Sequence, residues 1–211
     1  MKEQFEELWL KVGAKSDSSV FYDALFKVHS DKNRHYHDLT HILNSLVEFE
    51  SCKKFSENPL ALEFAIWYHE FVYELPNPID FSNEEKSAMS AHAVATTTGL
   101  NKSFIDKVVD LILVTNHKTQ PKNIDEKLIV DIDLSVFGYS EEEFAAYHEG
   151  IRKEYFFVEH DIYCEKRVEV LKGFLNRENI YQTPFFRRKY QKQAKKNLSR
   201  AIASLEAGFD F

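Results

Sequence analysis

Only 6 glycines and 5 prolines punctuate 211 residues, and that scarcity excludes most folds before any motif is considered. An all-β chain of this length needs a turn every eight to twelve residues or so, and such turns draw on residues that reach positive φ or fix it. Long helices joined by short connections need far fewer, so the expected class is all-α. The apolar spacing agrees. Phe5, Leu8, Trp9 and Val12, then Phe21, Leu25, Phe26 and Val28, then Ile42, Leu43, Leu46, Val47 and Phe49 recur at three and four residues rather than at two. With 44% hydrophobic residues, among them 18 Phe and 10 Tyr, the chain can bury a substantial core, and one domain over 1–211 is expected.

Boundary signals place the helices. Gly13 suits the end of the first, and Ser18 or Ser19 suits the start of the second, with His29 as a surface or capping residue at its C-terminus. Asn58-Pro59 is a cap followed by proline at the first helical position, and opens a run apolar nearly all round: Leu60, Leu62, Phe64, Ala65, Ile66, Trp67, Tyr68. Ser82 with Glu85, and Ser140 with Glu143, match the capping box. Ahead of the first box, residues 75–82 carry Pro76 and Pro78 and read as a loop that can rim a pocket. Leu128-Ile129-Val130-Asp131-Ile132-Asp133-Leu134-Ser135-Val136-Phe137 sets two acids in an otherwise apolar stretch. Its alternation would suit a strand, but no partner strands are evident elsewhere, so a helix ending at Gly138 is expected.

The formal charge of −7 argues against wholesale nucleic-acid binding. The exception is local: Arg187, Arg188, Lys189, Lys192, Lys195, Lys196 and Arg200 follow Thr183-Pro184 with no acid among them. Phe186, Tyr190, Ala194, Leu198 and Ile202 supply an apolar stripe at helical spacing, which makes the bases the solvated face of a C-terminal helix at about 184–207. The first residues lack the basic start and apolar core of a signal peptide, no apolar run approaches the roughly 18 residues that span a bilayer, and two cysteines make no disulfide framework. A cytoplasmic protein with no membrane partner is expected.

Against this helical background the polar interruptions stand out. Arg34-His35-Tyr36-His37-Asp38-Leu39-Thr40-His41-Ile42 packs three of the nine histidines into seven residues at a helix entrance. His37 and His41 are four apart, and if both are helical they share a face. His69-Glu70 closes the most apolar helix, where a buried carboxylate needs a partner or a metal. His117 follows Leu111-Ile112-Leu113-Val114, and Asp131 and Asp133 follow Leu128-Ile129-Val130. These read as pieces of a metal site. His92 reads as a core histidine or a ligand, and His148 and His160 as surface or capping residues.

Taken in order, Tyr36-His37-x-x-x-His41, His69-Glu70 and Asp131-x-Asp133-Leu134 resemble the signature of the HD-domain metal-dependent phosphohydrolases. Arg34-x-Tyr36-His37-x-Leu39-Thr40-His41, Asn83-Glu84-x-x-Ser87-Ala88, Thr115-x-x-His117, Ile151-Arg152-x-Glu154-Tyr155 and Phe174-Leu175-x-Arg177-x-x-Ile180-Tyr181 are similar to a small bacterial subfamily of predicted phosphohydrolases. The motif-bearing core so defined runs over about 30–180. The resemblance implies a helical HD-like bundle with His41, His69, Glu70 and Asp133 as metal ligands and Asp131 behind them. It departs from the family at Glu70, where the family carries aspartate.

A mixed histidine and carboxylate set suits Zn, Mn, Fe, Ni or Co better than magnesium alone. Such an ion lowers the pKa of a bound water and polarises a phosphoryl oxygen, so the implied activity is hydrolysis of a small phosphorylated metabolite or nucleotide. Glu84 is the candidate proton acceptor, and Arg34, His37 and His117 are candidate phosphate contacts. The alternative is a non-catalytic HD-like protein that binds metal or nucleotide.

Overall fold

The computed structural model describes residues 1–76 and 79–209, so Pro78 of the expected loop lies outside the described residues. Among those described, the regular structure is helical and no strand occurs. The apolar alternation around Asp131 therefore belongs to a helix. The helices are α1 (Lys2–Val12), α2 (Ser18–His29), α3 (Leu39–Cys52), α4 (Pro59–Tyr68), α5 (Asn83–Thr97), α6 (Lys102–Leu113), α7 (Ile124–Asp133), α8 (Glu141–Glu154), α9 (His160–Leu175) and α10 (Pro184–Glu206), with short 3₁₀ turns after α3, α6 and α7. None of them is long and apolar enough to cross a membrane. By internal contacts the chain divides into Met1–Ile132 and Asp133–Phe211.

In the first unit α4 is the hub, packing on α1, α3, α5 and α6. That explains its sequence: Ala61 to Tyr68 are all buried, because a helix with neighbours on every side has no face left for water. Gly13 ends α1 in the left-handed conformation at φ 78°, and Ser82 and Glu85 form the expected capping box at α5. Asp17, not Ser18 or Ser19, caps α2 by accepting from the Ser19 amide. The buried carboxylate of Asp125 in α7 anchors the entrance to α4, accepting from Ser56 Oγ, the Glu57 amide and Asn58 Nδ2.

Three histidines differ from expectation. His29 does end α2, but it is 1% exposed; burial, then the Arg34 guanidinium, push its pKa down to about 3, so it is neutral rather than a cation on the helix dipole. His148 is likewise buried in α8 and pushed down to about 3, by desolvation first and Arg167 second. His92 is exposed on α5, neither core nor ligand. Sequence spacing alone misplaced them because it fixes which helix face a residue occupies, not what lies opposite.

In the second unit α10 packs on α9 and on the 3₁₀ segment Leu134–Gly138. Ser140 and Glu143 form the second capping box, and Thr183 caps α10 by accepting from the Phe186 amide. Asn197, fully buried, donates to the carbonyls of Phe137 and Tyr139, while Lys196 and Arg200 on the outer face both pair with Glu141. The basic run is thus in part ion-paired. Gly138 is glycine for close approach: a Cβ built there would lie 2.7 Å from Cγ and Cδ1 of Tyr190 and nearer still to its Cβ. Gly138→Ala is expected to destabilise the protein by about 1–3 kcal/mol through overpacking; an unchanged urea midpoint would mean that α10 moves away at no cost.

Candidate metal centre

Three side chains from three helices meet. His41 lies in the first turn of α3, held there by Asp38, whose carboxylate accepts from the amides of Thr40 and His41. His69 caps the C-terminus of α4, and Asp133 is the last residue of α7, so the preceding turns of that helix fix its position. His41 and His69 are 4% and 2% exposed, and one ligand atom from each of His41, His69 and Asp133 lies within 4.8 Å of the others. Asp133, and not Asp131, joins this group. Residues two apart on a helix diverge by about 200°, and Asp131 is turned fully into the interior at 0% exposure.

Hydrogen bonding sets the tautomers. His69 Nδ1–H donates to the carbonyl of Ile66 at 2.8 Å, which leaves Nε2 as the lone-pair nitrogen. That nitrogen faces His41 Nε2 at 3.0 Å, so in the neutral pair His41 Nε2–H is the donor. A backbone carbonyl that fixes the far nitrogen of an imidazole is the usual support of a metal-binding histidine.

The distances fit a shared ion. Two nitrogens each about 2.0–2.1 Å from one cation stand no more than about 4.2 Å apart, and this pair is well inside that limit. With a cation bound, His41 carries its proton on Nδ1 instead. The carboxylate of Asp133 lies within 4.8 Å of both nitrogens. The donor set of two imidazoles and one carboxylate matches a borderline divalent ion. These three residues can therefore hold a metal ion.

The other candidate residues surround this group to different degrees. Glu70 is not among the three residues of this group; it follows the end of α4, and its backbone carbonyl accepts from the Arg34 guanidinium. His37 precedes α3 rather than lying in it, so the shared-face argument fails, yet its ring centroid is 5.9 Å from that of His41 and stacks on Tyr73 at 4.1 Å. His117 closes the turn after α6 with φ 56°, and Glu84 is half-buried in the first turn of α5; neither belongs to the ligand group.

Arg34 donates to backbone carbonyls and to His29, an arrangement that sequence spacing does not reveal. Asp38 was also missed as a cap, although Asp-Leu-Thr-His ahead of an apolar periodic run is a recognisable start signal. Comparison with protein-family models, with curated proteins and with solved structures finds no match to this chain.

Proposed function

We propose that the protein is a metal-dependent phosphohydrolase of the HD-domain superfamily, acting on a small phosphorylated metabolite or nucleotide in the cytoplasm. The observation that carries this reading is the meeting of His41, His69 and Asp133, which the ordered histidine, histidine and aspartate of the motif call for. A divalent Zn, Mn, Fe, Ni or Co ion held there supplies Lewis acidity, making water a competent nucleophile at neutral pH and drawing charge from a phosphoryl oxygen. Asp133 offsets the charge of the cation, and the Ile66 carbonyl keeps the His69 ring in its ligating tautomer. His37, stacked on Tyr73 beside His41, is the candidate to donate to a phosphate oxygen, with His117 as a further candidate. Glu84 is the candidate to take the proton as the water oxygen bonds to phosphorus and the ester oxygen leaves.

A second reading, a non-catalytic protein that binds metal or nucleotide, draws on Glu70, since the family aspartate is replaced there and its carboxylate stands outside the group of three. Hydrolysis of p-nitrophenyl phosphate by metal-free protein reloaded with Mn, Ni or Co tests the two together. Turnover that appears on reloading and vanishes with EDTA is the expected result. Bound metal without turnover of this or a panel of nucleotide esters would favour the second reading, and a protein that binds none of these ions would sink both. Glu70→Ala is expected to retain metal, because three ligands remain. Glu70→Asp, which restores the family residue, is expected to keep or raise turnover. Loss of metal from Glu70→Ala would make Glu70 a fourth ligand.

A further inference from the structure

The strongest polar junction near the ligand pair is the side chain of Arg34. Its Nη1 donates to the carbonyls of Glu70 at 2.6 Å and His37 at 3.1 Å and to His29 Nδ1 at 3.1 Å, and Nη2 donates to the carbonyl of Phe71 at 3.1 Å. Arginine has no lone pair to offer, so His29 Nδ1 is the acceptor and its proton is on Nε2. One guanidinium thus joins the C-terminus of α2, the segment leading into α3 and the turn that follows α4. Two of these junctions are close in sequence to a ligand: Glu70 directly follows His69, and His37 lies four residues before His41. The cation also faces the negative end of α4, and the Tyr73 ring, on which His37 stacks, is 5.8 Å from the guanidinium carbon.

We infer that Arg34 is a positioning residue for the metal centre, a guanidinium clamp that sets the separation of the two ligating histidines instead of contacting the substrate phosphate. The inference rests on the reading of His41 and His69 as ligands. Its physical basis is that His41 lies in the first turn of α3 and His69 at the C-terminus of α4, and the relative placement of these two helix ends has to be held to a fraction of an ångström for both Nε2 atoms to serve one ion. Arginine can do this because its donors form a rigid planar fork. Lysine brings the same charge as a compact point with rotatable donors, and cannot span the four acceptors at once. A phosphate-contacting arginine would leave metal binding alone and change only the handling of substrate.

Cobalt titration of the apo protein separates these roles, because Co(II) reports affinity through its binding curve and ligand geometry through its visible absorption. For Arg34→Lys we expect cobalt affinity weaker by about 10–100-fold, the range for loss of a group that orients a ligand, with an altered absorption band and an otherwise helical circular dichroism spectrum. Arg34→Gln, which keeps two donors, is the second variant and is expected to lose affinity as well, so the result does not hang on one substitution folding. Parent-level affinity and an unchanged band in either folded variant, with only KM for p-nitrophenyl phosphate raised, would overturn the clamp and make Arg34 a substrate contact. A parent chain that binds no cobalt would overturn the metal reading and this one with it. A parent that binds cobalt beside variants that bind it equally overturns the clamp alone.

Discussion

His69→Ala lowers the affinity for a divalent transition-metal ion by more than about a hundredfold, the upper end of the cost of losing only a supporting partner of a ligand. The reason is geometric. His69 supplies one of only two ring nitrogens in the group, and its Nε2 lone pair is directed at the site by the Nδ1–H bond to Ile66. With it gone, His41 and Asp133 remain as two ligands to an ion that ordinarily takes at least three from the protein. The check is metal content after dialysis together with a competition titration against a chromophoric chelator. His69→Gln serves as a companion because it fills more of the buried site than alanine does. Retention of parent affinity in either folded variant would show that the ion, if bound, sits elsewhere.

The second large effect is on stability. His29 and His148 are each held neutral, pushed down to about 3 from an ordinary value of 6.5. The unfolded chain takes up these protons below about pH 6.5 while the folded chain does not. Stability from this source is therefore complete above about pH 6.5 and is lost as pH falls toward 3, at about 1.4 kcal/mol per pH unit for each histidine. By pH 5 each has cost about 2 kcal/mol, against the 5–15 kcal/mol that typically holds a folded protein together. Urea midpoints measured from pH 8 to pH 5 are expected to be flat at first and then to fall steeply. His148→Gln should flatten the part of the fall that belongs to the second unit, since His29 lies in the first. Equal midpoints at pH 7 and pH 5 would mean that neither ring is shielded from protonation.

How far the fold was legible is best judged helix by helix. Where a rule is local, the sequence was enough: Gly13, the capping boxes at Ser82 and Ser140, the Pro59 and Pro184 starts, and the 3.6-residue repeat each depend on a few neighbouring residues and the backbone bonds they complete. The apolar run of α4 announced its own burial, because no exposed helix can carry such a surface. The ligand candidates His41, His69 and Asp133 were also visible, as polar groups interrupting buried runs.

What only the tertiary structure decided is everything that depends on which surface faces which. The absence of Glu70 from the group, the burial of His29 and His148 and the exposure of His92 are all settled by neighbours distant in the chain. Arg34 is the clearest instance. Its sequence position beside the histidines suggested a phosphate contact, but its donors end on the carbonyls of Glu70 and Phe71 more than thirty residues away. Backbone carbonyls carry no residue-specific signature, so a side chain that binds them leaves no mark in the sequence of its partner.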